Sequence, residues 1–433
     1  MIVRDIRSQV VEIDATGCPY ELDDGRLVTC YKGGSPTFYG RIRIAQPPYT
    51  SWSDLAVDTG VAQIGRYAFK ASNGNLFFTT ARDGFFGNII RSTDGGNTWA
   101  KVFQGTAGDQ IWHMCEDSSG NLFANSYGQV SNLGVIAKEV YKSTNGGATW
   151  FTWLTIPQTA SGLDNIIHVH GIYCDRDDNL LVSCGEWYTN RQTGATATWA
   201  AGVATITSVG HKAIAGGKVT HSLFSRSGYN GERLDIASVP SADTYTVAIA
   251  NDPGGSATGG QIEPQYYNGV IRRVTDGGAS GTIGAAISYR GNGWIHMLEA
   301  ADGRLIFGWD GAGGVVPAMA PGTSNLWCKQ ASGHYEMGRE LGGFAFDGCV
   351  GRDGVLYLLM VYSTVPSCVY ASPDNGVTWQ ALDLGLSSAY DATNITCNPA
   401  GPSGRLFISG NAGNKIKSIP DFTRAQLLSR VGA

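Results

Sequence analysis

The sequence predicts an all-β protein, and three observations support this fold class. First, the 433 residues include 60 Gly and 19 Tyr while only 15% are charged. Gly-rich turns between aromatic and β-branched runs are typical of strands joined by tight turns. Second, a turn of the form Gly-x-Leu returns about every 50 residues. Third, a turn motif that ends in Thr-Trp occurs three times between apolar runs.

The Gly-x-Leu turn sets the repeat of the chain. Each occurrence joins two short apolar strands, and Asp178 replaces the Gly in one of them. The turns end at Leu27, Leu76, Leu122, Leu180, Leu305, Leu356 and Leu406. A period near 50 residues with four strands per period is typical of a β-propeller, in which each blade buries its faces only against its neighbours. We therefore predict a seven-bladed β-propeller with blades over residues 10–58, 65–106, 110–157, 166–288, 292–331, 342–384 and 393–431.

The fourth blade contains an insertion. Leu180 and Leu305 are 125 residues apart, so roughly 75 residues beyond an ordinary repeat lie between the second and third strands of this blade. Alternating apolar and polar residues over 196–260 predict a small β domain of five or six strands. Residues 1–195 and 261–433 then form the propeller. At the chain ends, residues 9–13 are expected to add a strand that helps to close the ring, and Leu427-Leu428 to form an outer strand of blade seven.

The Thr-Trp motif predicts β-hairpin turns. Its three copies contain Asp94 and Trp99, Asn145 and Trp150, and Asp374 and Trp379. The Asp or Asn side chain can accept hydrogen bonds from the backbone of its own turn, and the Trp can pack back over that turn. The copies resemble the Asp-box, or BNR repeat, of sialidase-like β-propellers. This resemblance implies structural turns away from any active centre.

The inserted domain resembles a β module that recurs in virion proteins of tailed bacteriophages. The similarity lies in Gly202-Val-Ala-Thr-Ile-Thr, Gly210-His, Gly228-Tyr-Asn-Gly and Asp252-Pro. It implies a structural or adhesion protein of the tail or its fibres, made in the host cytoplasm. Such a protein would bind a host-surface glycan or a neighbouring virion protein within a multimeric assembly.

Charge and hydropathy argue against two classes of partner. The formal net charge is −5 and the Lys and Arg residues are scattered, which disfavours nucleic acid. No apolar run approaches the roughly 20 residues of a membrane helix. The first residues do not match a signal peptide, because charges interrupt their apolar run. The nine cysteines lack any framework spacing and indicate reduced thiols.

Histidines near the starts of the predicted innermost strands are the candidate site. His113 and His296 precede their repeat Leu by nine residues, and His170 precedes its Leu by ten. We expect these rings, with His168 beside them, to point at the central opening on the top face, which carries the loops between second and third strands. The residues that follow the second strand of blade four on this face are Glu186, Trp187, Tyr188 and Arg191.

Several interpretations of these residues remain open. A metal site would need converging carboxylates or thiolates, and none is evident, so neither a metal nor a cofactor is expected. The histidines could instead be hydrogen-bonded packing at the strand ends. In a binding protein, the candidate ligand contacts are His113, His168, His296, Glu186 and Trp187. Aromatic side chains that could stack on sugar rings are Trp187, Tyr188, Tyr266 and Tyr267.

The enzymatic alternative is a polysaccharide lyase or glycoside hydrolase that acts at the top centre of the propeller. The Asp-box repeats and the stretch His168-Val-His-Gly-Ile-Tyr resemble propeller polysaccharide lyases. Those enzymes remove the proton α to a uronate carboxylate with His and Tyr while Arg neutralises the carboxylate. The resemblance implies His170 as base, Tyr188 as acid, and Arg191 or Arg339 as the neutralising residue. Whether the protein is an enzyme stays open, and binding without turnover is favoured.

Overall fold

Strands make up nearly all of the regular structure, which confirms the predicted all-β class. The computed structural model describes residues 2–32, 40–55, 57, 64–81, 87–105, 109–128, 139–156, 168–185, 187–189, 192–211, 213, 215, 218–267, 270–276, 278–288, 294–309, 326–329, 335–337, 344–361, 367–386, 392–410 and 415–428. The chain divides into two compact units. The first unit comprises Met1–Gly185 with Gly269–Ala433, and the second comprises Glu186–Asn268.

The strands follow one another in short antiparallel runs. In chain order they are β1 (Ile2–Asp5), β2 (Val11–Ile13), β3 (Cys18–Glu21), β4 (Leu27–Lys32), β5 (Gly40–Ala45), β6 (Trp52–Leu55), β7 (Ile64–Lys70), β8 (Leu76–Ala81), β9 (Asn88–Ser92), β10 (Ala100–Gln104), β11 (Asp109–Glu116), β12 (Leu122–Gly128), β13 (Glu139–Ser143), β14 (Phe151–Thr155), β15 (His168–Cys174), β16 (Leu180–Gly185), β17 (Trp187–Thr189), β18 (Gln192–Ala200), β19 (Val203–Thr207), β20 (Lys218–Ser222), β21 (Gly231–Ser241), β22 (Thr244–Ala248), β23 (Ala257–Tyr267), β24 (Val270–Asp276), β25 (Gly281–Ser288), β26 (Trp294–Glu299), β27 (Leu305–Trp309), β28 (Leu326–Lys329), β29 (Tyr335–Met337), β30 (Phe344–Val350), β31 (Leu356–Val361), β32 (Cys368–Ser372), β33 (Gln380–Asp383), β34 (Asn394–Cys397), β35 (Arg405–Ser409) and β36 (Ile416–Pro420). A short helix, α1 (Arg424–Leu428), and two 3-10 turns, Arg7–Gln9 and Ser227–Tyr229, accompany them.

The described strands of the first unit form seven sheets. Sheets one to three are β3–β6, β7–β10 and β11–β14; sheet four is β15, β16, β24 and β25. Sheet five is β26–β29, sheet six is β30–β33 with β1, and sheet seven is β34–β36 with β2. The first strands of successive sheets, called the inner strands here, contact one another in a closed sequence: β3, β7, β11, β15, β26, β30, β34 and again β3. Each inner strand therefore contacts the inner strands of two other sheets.

The start of the chain pairs with its last sheets. The expected strand near residues 9–13 is present as β2, which pairs with β36. The expected outer strand at Leu427-Leu428 is wrong, because these residues belong to α1. The hydroxyl of Thr423 accepts a hydrogen bond from the Gln426 N–H, and the Gln426 side chain accepts one from the Thr423 N–H, a reciprocal cap that starts a helix. Leu427 is then buried in the core.

Each Gly-x-Leu turn contains a residue with a left-handed backbone. Gly74 (φ 85°) and Gly120 (φ 78°) adopt this conformation without steric cost. Asp178 adopts it at φ 58°, which Asp tolerates better than most residues. The Leu that follows lies at the start of the second strand of its sheet and is buried, as at Leu27 and Leu122. The motif therefore fixes both the chain reversal and a residue of the core.

Neighbouring sheets share their apolar cores. Between sheets three and four, Phe123, Trp153, Val169 and Val182 belong to one buried cluster. The rings of Phe123 and Trp153 meet edge to face at 5.1 Å between centroids. Each sheet therefore buries its faces against its neighbours, as expected for a repeat architecture.

The second unit is a sheet that closes on itself. Strand β23 pairs with β18 on one side and with β20 on the other, and the order β18, β19, β22, β21, β20 completes the cycle. Its interior contains His221, whose ring bonds the Tyr245 hydroxyl at 2.6 Å and the Tyr229 carbonyl at 3.1 Å. The unit extends beyond the predicted bounds 196–260, because β17 and the start of β18 pair with the end of β23.

Candidate site inside the ring of inner strands

A cavity of about 560 Å³ lies along the inner strands. Every inner strand contributes to its wall. Ser72 and Pro399 at its outer end are exposed, so the cavity opens to solvent beyond the C-terminal ends of these strands. The aromatic residues of the wall are Tyr20, Tyr67, Phe69 and Tyr173, and the two wall histidines are His113 and His296.

Strand register brings residues from different sheets to one level of the cavity. Counting nine residues back from the repeat Leu gives His113 in sheet three, His296 in sheet five and Asp347 in sheet six. In sheet four the same count gives Gly171, and His170 lies one residue earlier. His113, His296 and Asp347 therefore share one level, and His170 is offset from it by one residue.

His113 and His296 form a pair of buried, uncharged imidazoles. Their ring centroids are 5.8 Å apart, and their residues are 5% and 4% exposed. Within the described part of the chain, Nδ1 of His113 and both ring nitrogens of His296 have no hydrogen-bond partner. Burial, His296 and Arg66 hold the pKa of His113 well below its usual value. Burial and Arg66 lower the pKa of His296 to about 3.

Arg66 supplies positive charge beside this pair. Its guanidinium carbon lies 4.4 Å from the ring centroids of both Trp112 and Phe346, a cation–π contact on two faces. One terminal nitrogen lies 3.5 Å from the Thr393 carbonyl, and the other has no hydrogen-bond partner among the residues that the structure describes. Arg66 therefore lies between side chains of two other inner strands, and its charge adds to burial in lowering the pKa of both imidazoles.

Asp347 is a buried carboxyl at the same level. Its oxygens accept hydrogen bonds from the Gly348 and Ile395 N–H groups, both at 2.9 Å. Burial raises its pKa to about 6. Its Oδ1 lies 3.4 Å from Nδ1 of His296. Since the imidazole is uncharged above a pH of about 3, this contact is not an ion pair at neutral pH.

The charged groups at the mouth join neighbouring sheets. Both oxygens of Glu116 accept hydrogen bonds from Ser72, through its N–H and its hydroxyl, at 2.7 Å each. Glu299 accepts hydrogen bonds from the backbone N–H and the guanidinium of Arg176. The two carboxylates therefore join neighbouring sheets: Glu116 joins sheets two and three, and Glu299 joins sheets four and five.

The other predicted site residues have separate positions. His170 is buried, its ring centroid lies 5.6 Å from that of Tyr127, and its backbone bonds the side chain of His113. His168 begins β15, and its side chain is outside the described residues, as are Glu186, Arg191 and Arg339. In the second unit, Trp187 pairs with Tyr267 and Tyr188 with Tyr266 in the β17–β23 register.

The three Thr-Trp motifs form the turns of hairpins that lie away from the cavity wall. Asp94 accepts hydrogen bonds from the Ser92 hydroxyl at 2.8 Å and from the Thr98 N–H at 2.9 Å. The indole N–H of Trp99 donates to the Gly96 carbonyl at 3.0 Å. The same bonds recur in the turns with Asn145 and Trp150 and with Asp374 and Trp379. These hydrogen bonds are internal to the turns.

The described ranges contain neither a cluster of metal ligands nor a membrane-spanning helix. No cluster of three or more His, Cys, Asp or Glu residues there has the arrangement of a metal site. No helix there is both apolar enough and long enough to span a bilayer.

Comparison with known proteins finds similar solved structures and no matching family. No protein-family model matches the sequence, and no curated protein matches it either. The chain is similar to YCF48 bound to a D1 peptide, with TM-score 0.47 and 10% identity over 95% of this chain and 96% of that chain. It is also similar to the GH74 xyloglucanase from Xanthomonas campestris, with TM-score 0.47 and 14% identity over 96% of this chain and 54% of that chain. These proteins are β-propellers. Scores this low carry no function to the present chain.

Proposed function

We propose that the first unit is a seven-bladed β-propeller in which sheets one to seven are the blades. The second unit would then be inserted between the second and third strands of the fourth blade, at β16 and β24. Two observations support this architecture: the closed sequence of contacts among the inner strands, and the completion of sheet seven by β2. The cavity would be the central channel of the propeller.

We propose that the protein is an adhesion protein of a tailed-phage virion and that it binds a host-surface glycan without turning it over. The observation that supports binding is the pair of uncharged imidazoles, His113 and His296, on the wall of a solvent-connected cavity. The virion setting is supported by the sequence resemblance of residues 196–260. A neighbouring virion protein is the second partner that this setting implies.

The chemistry of the wall favours a neutral, hydroxyl-rich ligand. A neutral imidazole donates one hydrogen bond and accepts another, which matches a sugar hydroxyl. The aromatic faces of Tyr20, Tyr67 and Tyr173 suit the apolar face of a sugar ring. The volume of about 560 Å³ is within the roughly 300–1,000 Å³ typical of small-molecule sites.

Titration of saccharides from the host surface, followed by calorimetry, tests this proposal. His296→Gln keeps a polar side chain but changes its donor and acceptor positions, and we expect binding to weaken about tenfold, the equivalent of one hydrogen bond. Trp187→Ala in the second unit is the control and should leave binding unchanged. Thermal melts establish that both variants fold. Loss of binding in Trp187→Ala alone would place the glycan site on the second unit and refute a site in the cavity.

A polysaccharide lyase or glycoside hydrolase is the second candidate. The observation that favours it is Asp347, a buried carboxyl with a pKa of about 6 beside His296. Against it, both carboxyl oxygens of Asp347 already accept backbone hydrogen bonds. Incubation with host capsule or lipopolysaccharide, with detection of unsaturated uronates and reducing ends, separates the two functions. Product that disappears in His170→Ala would establish the enzyme.

The virion setting has its own test. Antibodies against the protein should label purified phage particles at the tail, as seen by electron microscopy. Particles that contain the complete set of virion proteins but lack this chain would contradict the proposal.

A further inference from the structure

Two thiols from neighbouring sheets meet on the wall of the cavity. Cys115 is the next-to-last residue of β11 in sheet three and Cys174 ends β15 of sheet four, and their sulfur atoms are 2.9 Å apart. Cys115 is buried, Cys174 is half-buried, and both line the solvent-connected cavity. A small oxidant in the cavity therefore has a path to a pair of sulfurs already in contact.

We propose that Cys115 and Cys174 are a site of reversible oxidation, at which a peroxide forms a disulfide that joins sheets three and four. A disulfide places its sulfurs about 2.05 Å apart, so the two atoms need to approach by roughly 0.9 Å. The sulfur of Cys174, the more exposed of the two, attacks hydrogen peroxide and breaks the O–O bond. This step yields a sulfenic acid and one water molecule.

The second step closes the bond. The sulfur of Cys115 attacks the sulfenic sulfur, the S–O bond breaks, and the hydroxyl leaves with the thiol proton as a second water. Two thiols and one peroxide thus give one disulfide and two waters, and the cysteines lose two protons and two electrons. The new bond closes a loop between residues 59 positions apart, which restricts the unfolded chain.

The burial of Cys115 affects how readily the disulfide forms. Burial raises the pKa of the Cys115 thiol well above its usual value, so its thiolate is scarce at neutral pH and its attack on the sulfenic sulfur is slow. A second thiol pair, Cys349 and Cys397, interacts across the inner strands of sheets six and seven and also lines the cavity. The proposal concerns the first pair, for which the sulfurs are in direct contact.

Peptide mapping after oxidation tests the proposal. Protein reduced with a phosphine is treated with hydrogen peroxide, alkylated and digested without reduction. We expect a cross-linked peptide that contains Cys115 and Cys174, and a protein mass lower by two hydrogen atoms per bond. The melting temperature should rise by a few degrees on oxidation and return to its original value after reduction. Both measurements use the wild-type protein, so they do not depend on whether a variant folds.

Matched variants identify the sulfurs. Cys174→Ser and Cys115→Ser should each abolish the cross-link. Cys368→Ser is the control, because the Cys368 thiol donates to backbone carbonyls of its own sheet at 3.6 and 3.8 Å. It should leave the cross-link unchanged. Recovery of Cys115 and Cys174 as separate alkylated or singly oxidised residues after peroxide treatment of the wild type would overturn the proposal.

Discussion

Replacing Gly147 with Ala is expected to destabilise the protein more than the same change at Gly95. Both glycines lie in Thr-Trp turns and have positive φ, 78° and 68°. At Gly147 an added Cβ would lie 2.4 Å from the ring of Phe77 in sheet two, whereas at Gly95 nothing lies within 4 Å. The left-handed backbone costs each Ala variant about 1–2 kcal/mol. Overpacking adds about 1–3 kcal/mol at Gly147 alone, because Phe77 is buried and cannot yield easily.

The difference between the two variants measures the close approach of sheets two and three. The third copy of the motif has Asn375 at the position of Gly95, with φ 58°, but keeps a glycine, Gly376, at the position of Gly147. Gly95→Asn should therefore be nearly neutral. Urea unfolding followed by circular dichroism gives the free energies, and the m-value shows whether the unfolding transition changes. Equal destabilisation by the two Ala variants would refute the packing argument.

Three further predictions concern charge and the turns. The pKa of His221 is about 4 in the folded protein, below its usual 6.5, so the unfolded chain binds the proton more readily. Stability is complete above pH 6.5 and should fall by about 3 kcal/mol as the pH decreases to 4, measured by urea unfolding across this range; a flat profile would contradict the burial of this ring. Arg66→Met should raise the pKa of His296 towards 6.5, because the charge of Arg66 helps to lower it, and an unchanged imidazole titration by NMR would show that the guanidinium acts elsewhere. Asp94→Ala should cost about 0.5–1.5 kcal/mol in thermal or urea unfolding, because Thr98 and Ser92 lose their acceptor, whereas Asp94→Asn should cost less, as Asn145 fills the same place in the second copy.

The strands and their turns could be predicted from the sequence because their signals are local. Positive φ in the Gly-x-Leu turns and the internal bonds of the Asp94 turn require only residues close together in the chain. The predicted strand at Leu427-Leu428 was wrong because the helix there is too short to show a periodic pattern in the sequence. The cap between Thr423 and Gln426 that starts this helix is also a local signal, but it was not recognised.

The candidate site could be predicted only in part. Which residues of neighbouring inner strands lie at the same height depends on the register of those strands. Nine residues before Leu356 stands Asp347, so the count that gives His113 and His296 would also have found this carboxyl. The one-residue offset of His170 is equally visible in the sequence, since this residue precedes Leu180 by ten residues. The placement of Arg66 between two rings of other strands depends on tertiary packing that no local pattern encodes.

The most direct test of the proposed glycan site is the imidazole NMR spectrum of histidine-labelled protein at pH 7, recorded as a host-surface saccharide is added. We predict that the resonances of His113 and His296 move saturably with saccharide concentration while both rings stay neutral, and that those of His221 do not move. Saccharide binding detected by calorimetry on the same sample, with the His113 and His296 resonances unmoved, would contradict the proposed site.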